Sequence, residues 1–380
     1  KQQGSADMAL IQSKAEAMDG IAADAKAAKE AIDKLDNLTK AEKNVKKSEV
    51  DSAAAAAKNA VNAAADADGI NNAVQNGQAA IAFAQAKAVA ADGVMEAAKE
   101  AKKGIDALEN LTSAEKAALK AGIDDEADDA KVAIDNAADE DAILAALGNA
   151  EAAFLDTLDD AAAQDFVNAY TMGKDGLYKE INSNNADQIL AGKGPWAEMT
   201  DGQKAKANAL IEAGTGGSVA TYDDYVLACE KFVKEEADKF VKNYLTGEDG
   251  QMYKEATAKN YEQILSGKAD WDKKSQAEKD AINAALMANG GKSYEELLKL
   301  SGEIKENSEG FIKKYLTGQD GQIYKEATRQ NYQQILFGKE AWDKMSQVEK
   351  DAINAVLVAN GGKTYEELLK TAQEIEKQIA

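Results

Sequence analysis

Few residue types in this chain could carry chemistry. Its 380 residues include no histidine and one cysteine, Cys229. That removes the commonest general base, the commonest metal ligand and every Ser-His or Cys-His nucleophile pair. A Cys-rich zinc site is removed as well. Carboxylates abound, with 67 Asp and Glu, so counting alone does not settle whether a catalytic pair exists. Such a pair needs a concave site, which thin helical units rarely offer. No GxxxxGK[ST] and no GxGxxG after a strand is present. "AGKGPW" (Ala191–Trp196) looks like a phosphate loop, but it aligns with "SGKADW" and reads as an inter-helix loop of a repeat. "GEDGQ" (Gly247–Gln251) and "GQDGQ" (Gly318–Gln322) read as acidic turns at helix ends. They lack the alternate-position carboxylates and terminal Glu of a calcium loop. The expectation is a non-enzymatic chain with no catalytic residue, no metal and no cofactor.

The remaining chemistry is recognition by aromatic side chains. "GQMYKEATAKNYEQILSGKADWDK" (Gly250–Lys273) recurs 71 residues later as "GQIYKEATRQNYQQILFGKEAWDK" (Gly321–Lys344). The recurring Tyr and Trp have two readings. They are the core of a duplicated module, or they are repeated ligand anchors. Their offsets recur together with Ile282, Leu286 and Tyr294, which belong to other helices, and that favours the core. Tyr often buries its ring and wets its tip, so Tyr253, Tyr261, Tyr324 and Tyr332, with Phe337, are the candidate partner-binding residues. Cys229, among Val226, Leu227 and Phe232, reads as a buried helical thiol.

The elements that must position these side chains are helices. One proline, Pro195, in a chain rich in Ala, Glu, Lys, Leu and Gln says helix almost throughout. No strand-like alternation is present. The chain is also repetitive. "AIDKLDNLTKAEK" (Ala31–Lys43) recurs as "GIDALENLTSAEK" (Gly104–Lys116), a shift of 73. "AVNAAADADGINNAVQNGQAAI" (Ala60–Ile81) recurs as "AIDNAADEDAILAALGNAEAAF" (Ala133–Phe154), again shifted by 73. In the second part the shift is 71, carrying Phe240 to Phe311, Trp271 to Trp342 and Tyr294 to Tyr365. A degenerate copy precedes these, with Tyr178, Ile189 and Trp196 at the matching places and an insertion, "AGTGGSVATY" (Ala213–Tyr222).

Each repeat reads as three helices. Met18, Ile21, Ala25, Ala28, Ile32 and Leu35 fall on one helical face. Thr39 with Glu42, Thr112 with Glu115, Ser275 with Glu278 and Ser293 with Glu296 have capping-box spacing. Asp66 and Asp68 can cap a third helix. No strong breaker follows Ile81, so one helix is predicted from about Asp68 to Glu109, roughly 60 Å long at 1.5 Å per residue, with a kink possible near Gly93. In the later repeats the reading gives a short helix over Met252–Leu265. A second helix stops at Asn289-Gly290-Gly291, and a third runs from Ser293 to near Thr317-Gly318. The predicted fold is all-α: a tandem, elongated array of five three-helix bundles joined by long shared helices. The boundaries fall at 1–85, 86–158, 159–236, 237–307 and 308–380. Of 7 Phe, 3 Trp and 12 Tyr, only Phe83 and Phe154 precede residue 159. The first two repeats must therefore pack through alanine, and the last three are expected to be the more stable.

Net charge is −22. It argues against nucleic acid and anionic lipid as partners, because both need a basic surface. It suits a solvated, self-repelling monomer. No run of about 18 apolar residues is present. The chain starts Lys1-Gln2-Gln3-Gly4, which reads as a fragment or processed form whose anchoring segments lie elsewhere.

The first two repeats, through I-D-x-L-x-N-L-T-x-A-E-K and A-[VI]-[ND]-x-A-x-D-x-D-x-[IL], resemble FIVAR and GA-type three-helix repeats of Gram-positive cell-surface proteins over residues 14–158. The later "EKDAINAALMANGGKSYEELL" (Glu278–Leu298) resembles repeat regions of surface proteins from gut Firmicutes. The resemblance implies an extracellular, wall-attached adhesin that binds a host protein through helix faces. Immunoglobulin is the first expectation, with albumin or a matrix protein behind it. No binding motif of these families carries over residue by residue. The alternatives are a passive stalk that displays another domain and a carbohydrate-binding module.

Overall fold

Side-chain caps decide where the helices begin. In each capping box a Ser or Thr oxygen takes an orphan N–H of the first turn, and the Glu or Gln three residues on takes the cap's own N–H. Boxes stand at Thr39–Glu42, Thr112–Glu115, Thr200–Gln203, Ser275–Glu278, Ser293–Glu296 and Ser346–Glu349. Asp66 and Asp139 cap further helices by accepting from Gly69 N and Ala142 N. The structure, a computed structural model, describes residues 2–379.

The elements in chain order begin with α1 (Gln2–Asp33), α2 (Lys40–Ala63), α3 (Ala67–Ala107), α4 (Ser113–Asp135) and α5 (Glu140–Tyr170). A two-residue hairpin follows, β1 (Met172–Gly173) antiparallel to β2 (Gly176–Leu177). Next come α6 (Ala186–Ala191), α7 (Lys193–Glu198), α8 (Asp201–Thr215) and α9 (Tyr222–Tyr244). The last copies supply α10 (Tyr261–Ser266), α11 (Lys268–Trp271), α12 (Gln276–Ala288) and α13 (Tyr294–Tyr315), then α14 (Tyr332–Phe337), α15 (Lys339–Lys344), α16 (Gln347–Ala359) and α17 (Tyr365–Ile379). The fold is all-α, and it separates into two units. One comprises Lys1–Leu177 with Gly194–Thr221, the other Tyr178–Lys193 with Tyr222–Ala380.

In the first unit, α1, α2 and α3 close on Ile21, Ile32, Val50, Val61, Ile70 and Ile81. The second half of α3 closes with α4 and α5 on Val94, Ile105, Ile123, Ile134, Ile143 and Phe154. Helix α3 therefore serves two cores without a break, as its uninterrupted periodicity predicts. Alanines fill between the larger residues and let the helices approach closely: Ala88, Ala98 and Ala161 are fully buried. In the second unit the cores are aromatic. Phe240, Trp271, Ile282, Leu286 and Tyr294 form one, and Phe311, Trp342, Ile353, Leu357 and Tyr365 repeat it.

Three sequence expectations need correction. Ala191–Trp196, read as an inter-helix loop, is helical on both sides of Gly192, in α6 and α7. The helix expected over Met252–Leu265 starts only at Tyr261. Before it, Asn260 bends the chain locally. Its Oδ1 accepts from Thr257 N at 2.7 Å and its Nδ2 donates to Glu255 O at 2.9 Å. A side chain that satisfies backbone groups in this way competes with the helix. Short extended pairing is also present. Besides β1 and β2, Thr246 bridges Met252 and Thr317 bridges Ile323. Both bridges close the acidic turns, in which Gly250 and Gly321 hold positive φ of 74° and 77°.

Candidate functional site

The expected binding tyrosines are tied into the fold. Tyr253 Oη donates to Gln263 Oε1 at 2.6 Å, and Gln263 Nε2 donates to Asn243 O and Thr246 O, at and just past the end of α9. Tyr324, Gln334, Lys314 and Thr317 repeat this network. Tyr261 is buried, with its hydroxyl on Glu262, and Tyr332 is half-buried, its hydroxyl accepting from Gln333. Phe337 stands apart, 75% exposed at the end of α14. Where it stands, the preceding copy has Ser266.

An apolar groove runs between α3 and α5. Two adjoining hollows of about 310 and 420 Å³ share Val89, Ala90 and Leu147. Gly93, Ala97 and Phe154 continue the lining of the first, and Ala82, Ala86 and Ile143 that of the second. Ala82, Ala86, Val89, Gly93 and Ala97 fall on one face of α3, spaced three and four apart. Space beyond Gly93 is open, since a Cβ there would meet nothing within 4 Å. On α5, beside the lining residues Ile143 and Phe154 in the chain, Leu144 and Leu155 are 64% and 63% exposed. Glu151 is the one charged residue in the lining.

The first repeat carries different residues on this face. Subtracting 73 turns Val89 into Glu16, Ala97 into Asp24, Leu144 into Asn71 and Glu151 into Gln78. Gln78 Nε2 donates to Asp24 Oδ2 at 2.9 Å, so a polar bridge ties α3 to α1 there. With Ala97 and Glu151 at these places the second repeat cannot form it. Two copies of one module thus share a core and differ on one face, where Glu16, Asp24 and Asn71 stand opposite Val89, Ala97 and Leu144, while Gln78 stands opposite Glu151. Exposed Val89, Leu144 and Leu155 on a chain of −22 make this face a candidate interaction surface.

The GA module matches residues 94–137. This is a family of albumin-binding three-helix bundles. The matched segment takes in α3 from Val94, the capped turn at Thr112, all of α4, and ends at Ala137. It contributes Val94 and Ala97 to the groove, while Leu147 and Phe154 come from α5 outside it. No curated protein matches the chain, and no solved structure does.

Electrostatics next to the GA-matched segment are organised by ion pairs. Lys131 of α4 reaches Glu42 and Asp128, each at 2.8 Å. Burial works against ionising Glu42, but hydrogen bonds from Lys131 and Thr39 outweigh it and hold the carboxyl down at about 2. Lys46 is buried and pairs with Asp135, and desolvation lowers its pKa. Among the described residues no group of three acidic or thiol ligands is placed to hold a metal ion, and no helix is long and apolar enough to cross a membrane.

The groove escaped the sequence reading because each α3 position, taken alone, looks like ordinary alanine-rich helix. The available signal was the difference between copies, not the periodicity of either.

Proposed function

We propose that this is a non-enzymatic bacterial cell-surface protein that binds a host protein of the albumin class, and that the α3–α5 groove of the second repeat is the contact. The GA match at residues 94–137 carries this reading. The groove supplies the surface chemistry: an apolar centre at Val89, Gly93 and Leu147, with Glu151 as the charged residue of the lining, suits a helix-face interface. Immunoglobulin has no comparable support. Extracellular display follows from the same reading.

The test is titration of the full chain with serum albumin by calorimetry, beside a variant carrying Val89→Glu and Ala97→Asp. Both replacements are the residues that the first repeat holds at these places, so the helix tolerates them. Binding that falls by more than about tenfold at unchanged melting temperature supports the groove, because an unpaired charge in an apolar contact is costly. Albumin binding unaffected by the pair moves the contact to another face. Absence of albumin binding by the parent chain, with immunoglobulin tested alongside, sinks the partner class and leaves the stalk.

Phe337 gives a second reading for the last copy. An exposed aromatic where its sibling carries serine is a candidate anchor for a separate contact.

A further inference from the structure

Four capping-box glutamates use their two oxygens differently. In Glu42, Oε2 accepts from Thr39 N at 2.8 Å and Thr39 Oγ1 at 2.6 Å, while Oε1 accepts from Lys131 of α4 at 2.8 Å. In Glu349, Oε2 accepts from Ser346 N and Oγ, both at 2.7 Å, while Oε1 accepts from Asn307 of α13 at 2.5 Å. Glu115 caps from Thr112 and meets Asn168 of α5 at 3.3 and 3.4 Å. Glu278, fully buried, caps from Ser275 through Oε2. Its Oε1 faces Lys274 at 3.0 Å, which also reaches Glu236 of α9 at 2.9 Å. Each cap is therefore bound to an element outside its own helix, directly or through one lysine.

The Ser293–Glu296 box and the matching Thr364–Glu367 pair at the start of α17 are the internal control. Among the described residues, these two carboxylates accept only from their own caps, Ser293 and Thr364. Capping alone therefore does not require the second partner. The first joint carries a further tie in the same register. Glu42 and Lys46, one turn apart on α2, face Lys131 and Asp135, one turn apart on α4, with opposite charge order.

We propose that the glutamate closing these helix-starting boxes is also the latch of the joint between successive bundles, so that the start of α2 and the end of α4 open together rather than separately. A latch built on the cap couples two local opening events, because losing the cross-joint donor loosens the turn that the same carboxylate organises. Cooperative units of this kind are what native-state hydrogen exchange resolves.

The experiment is amide exchange by mass spectrometry on the full chain, comparing the parent with Lys131→Gln and, separately, Asn307→Ala. Neither variant touches a cap residue. Lys131→Gln is expected to speed exchange about two- to fivefold in both the first turns of α2 and the last turns of α4. Asn307→Ala is expected to do the same for α16 and α13. Faster exchange confined to the substituted helix, or no change in either variant, overturns the latch. A Lys131→Gln chain that fails to fold leaves Asn307→Ala as the deciding variant.

Discussion

Tyr294 Oη donates to the carbonyl oxygen of Ile264 at 2.7 Å, and 71 residues on Tyr365 Oη donates to Ile335 O at 2.7 Å. Each bond carries the hydroxyl of a third-helix tyrosine into the short helix that opens its copy. The surrounding rings repeat as closely. Phe240 meets Tyr294 edge-on at 5.0 Å and Phe311 meets Tyr365 edge-on at 5.0 Å. Trp271 lies 4.7 Å from Tyr294, and Trp342 lies 4.5 Å from Tyr365. The degenerate copy keeps the bond, from Tyr222 to Ile189. This is why the aromatic spacing is copied: it is one core with one buried polar bond, written again.

Tyr294→Phe should therefore cost about 0.5–1.5 kcal/mol, the net worth of one hydrogen bond, since Ile264 O still accepts from Gly267 N at 3.2 Å. Gly267→Ala should cost about 1–3 kcal/mol, since its Cβ would sit 2.8 Å from Tyr294 Oη and 2.9 Å from the Tyr244 ring. Denaturant melts followed by tryptophan fluorescence measure both. A neutral Tyr294→Phe would mean that the Gly267 N–H alone suffices for the Ile264 carbonyl.

Glu42 gives the chain an acid-sensitive point. Its folded pKa, about 2, lies below the usual 4.5. A depressed carboxyl contributes stability that is complete above the unfolded value and is lost as pH falls through the folded one. Glu42→Gln keeps the box, as Gln203 does in its own, and should cost about 1 kcal/mol near neutral pH through loss of the charge paired with Lys131. The gap between parent and variant should close between pH 4.5 and 2. Thermal melts across that range check it, and a gap that stays constant would remove the charge from the account.

Cys229 should be inert while the chain is folded. It is fully buried in α9, and burial foremost, with Glu230 adding to it, pushes the thiol up to about 12. Thiolate is the reactive form, so alkylation at pH 8 should be at least about a hundredfold slower than in denaturant. The rate then reports opening of α9, which makes the single thiol a native probe.

Phe337→Ser installs the residue that the preceding copy carries. It should leave the melting temperature within about 1 °C, because an exposed ring contributes little to the core. A host-protein contact in the last copy should weaken by about tenfold or more. Unchanged binding of every partner that the chain captures would remove Phe337 from the contact surface.

Much of this architecture was legible because its causes are local. Thr39 and Glu42, or Ser275 and Glu278, sit three residues apart and specify a helix start wherever they occur. The run from Asp68 to Leu108 lacks a breaker, and α3 spans Ala67–Ala107. The segment before Tyr261 was misread because Asn260 satisfies Thr257 and Glu255 through its side chain, which apolar periodicity does not register. The groove was hidden for a different reason. Exposure of Val89 and Leu144 depends on what the neighbouring helix presents, and only the contrast with Glu16 and Asn71 makes their apolar character informative.

Because α3 feeds Ile81 into one core and Val94 into the next, its length acts as a phase as well as a spacer. Inserting one residue between them would rotate everything downstream by about 100° and advance it by about 1.5 Å, swinging Val94 out of register. An insertion in the middle of α3 keeps the phase only near whole turns, as a heptad does with about two, whereas an added block of 73 residues, one repeat, brings its own core with it.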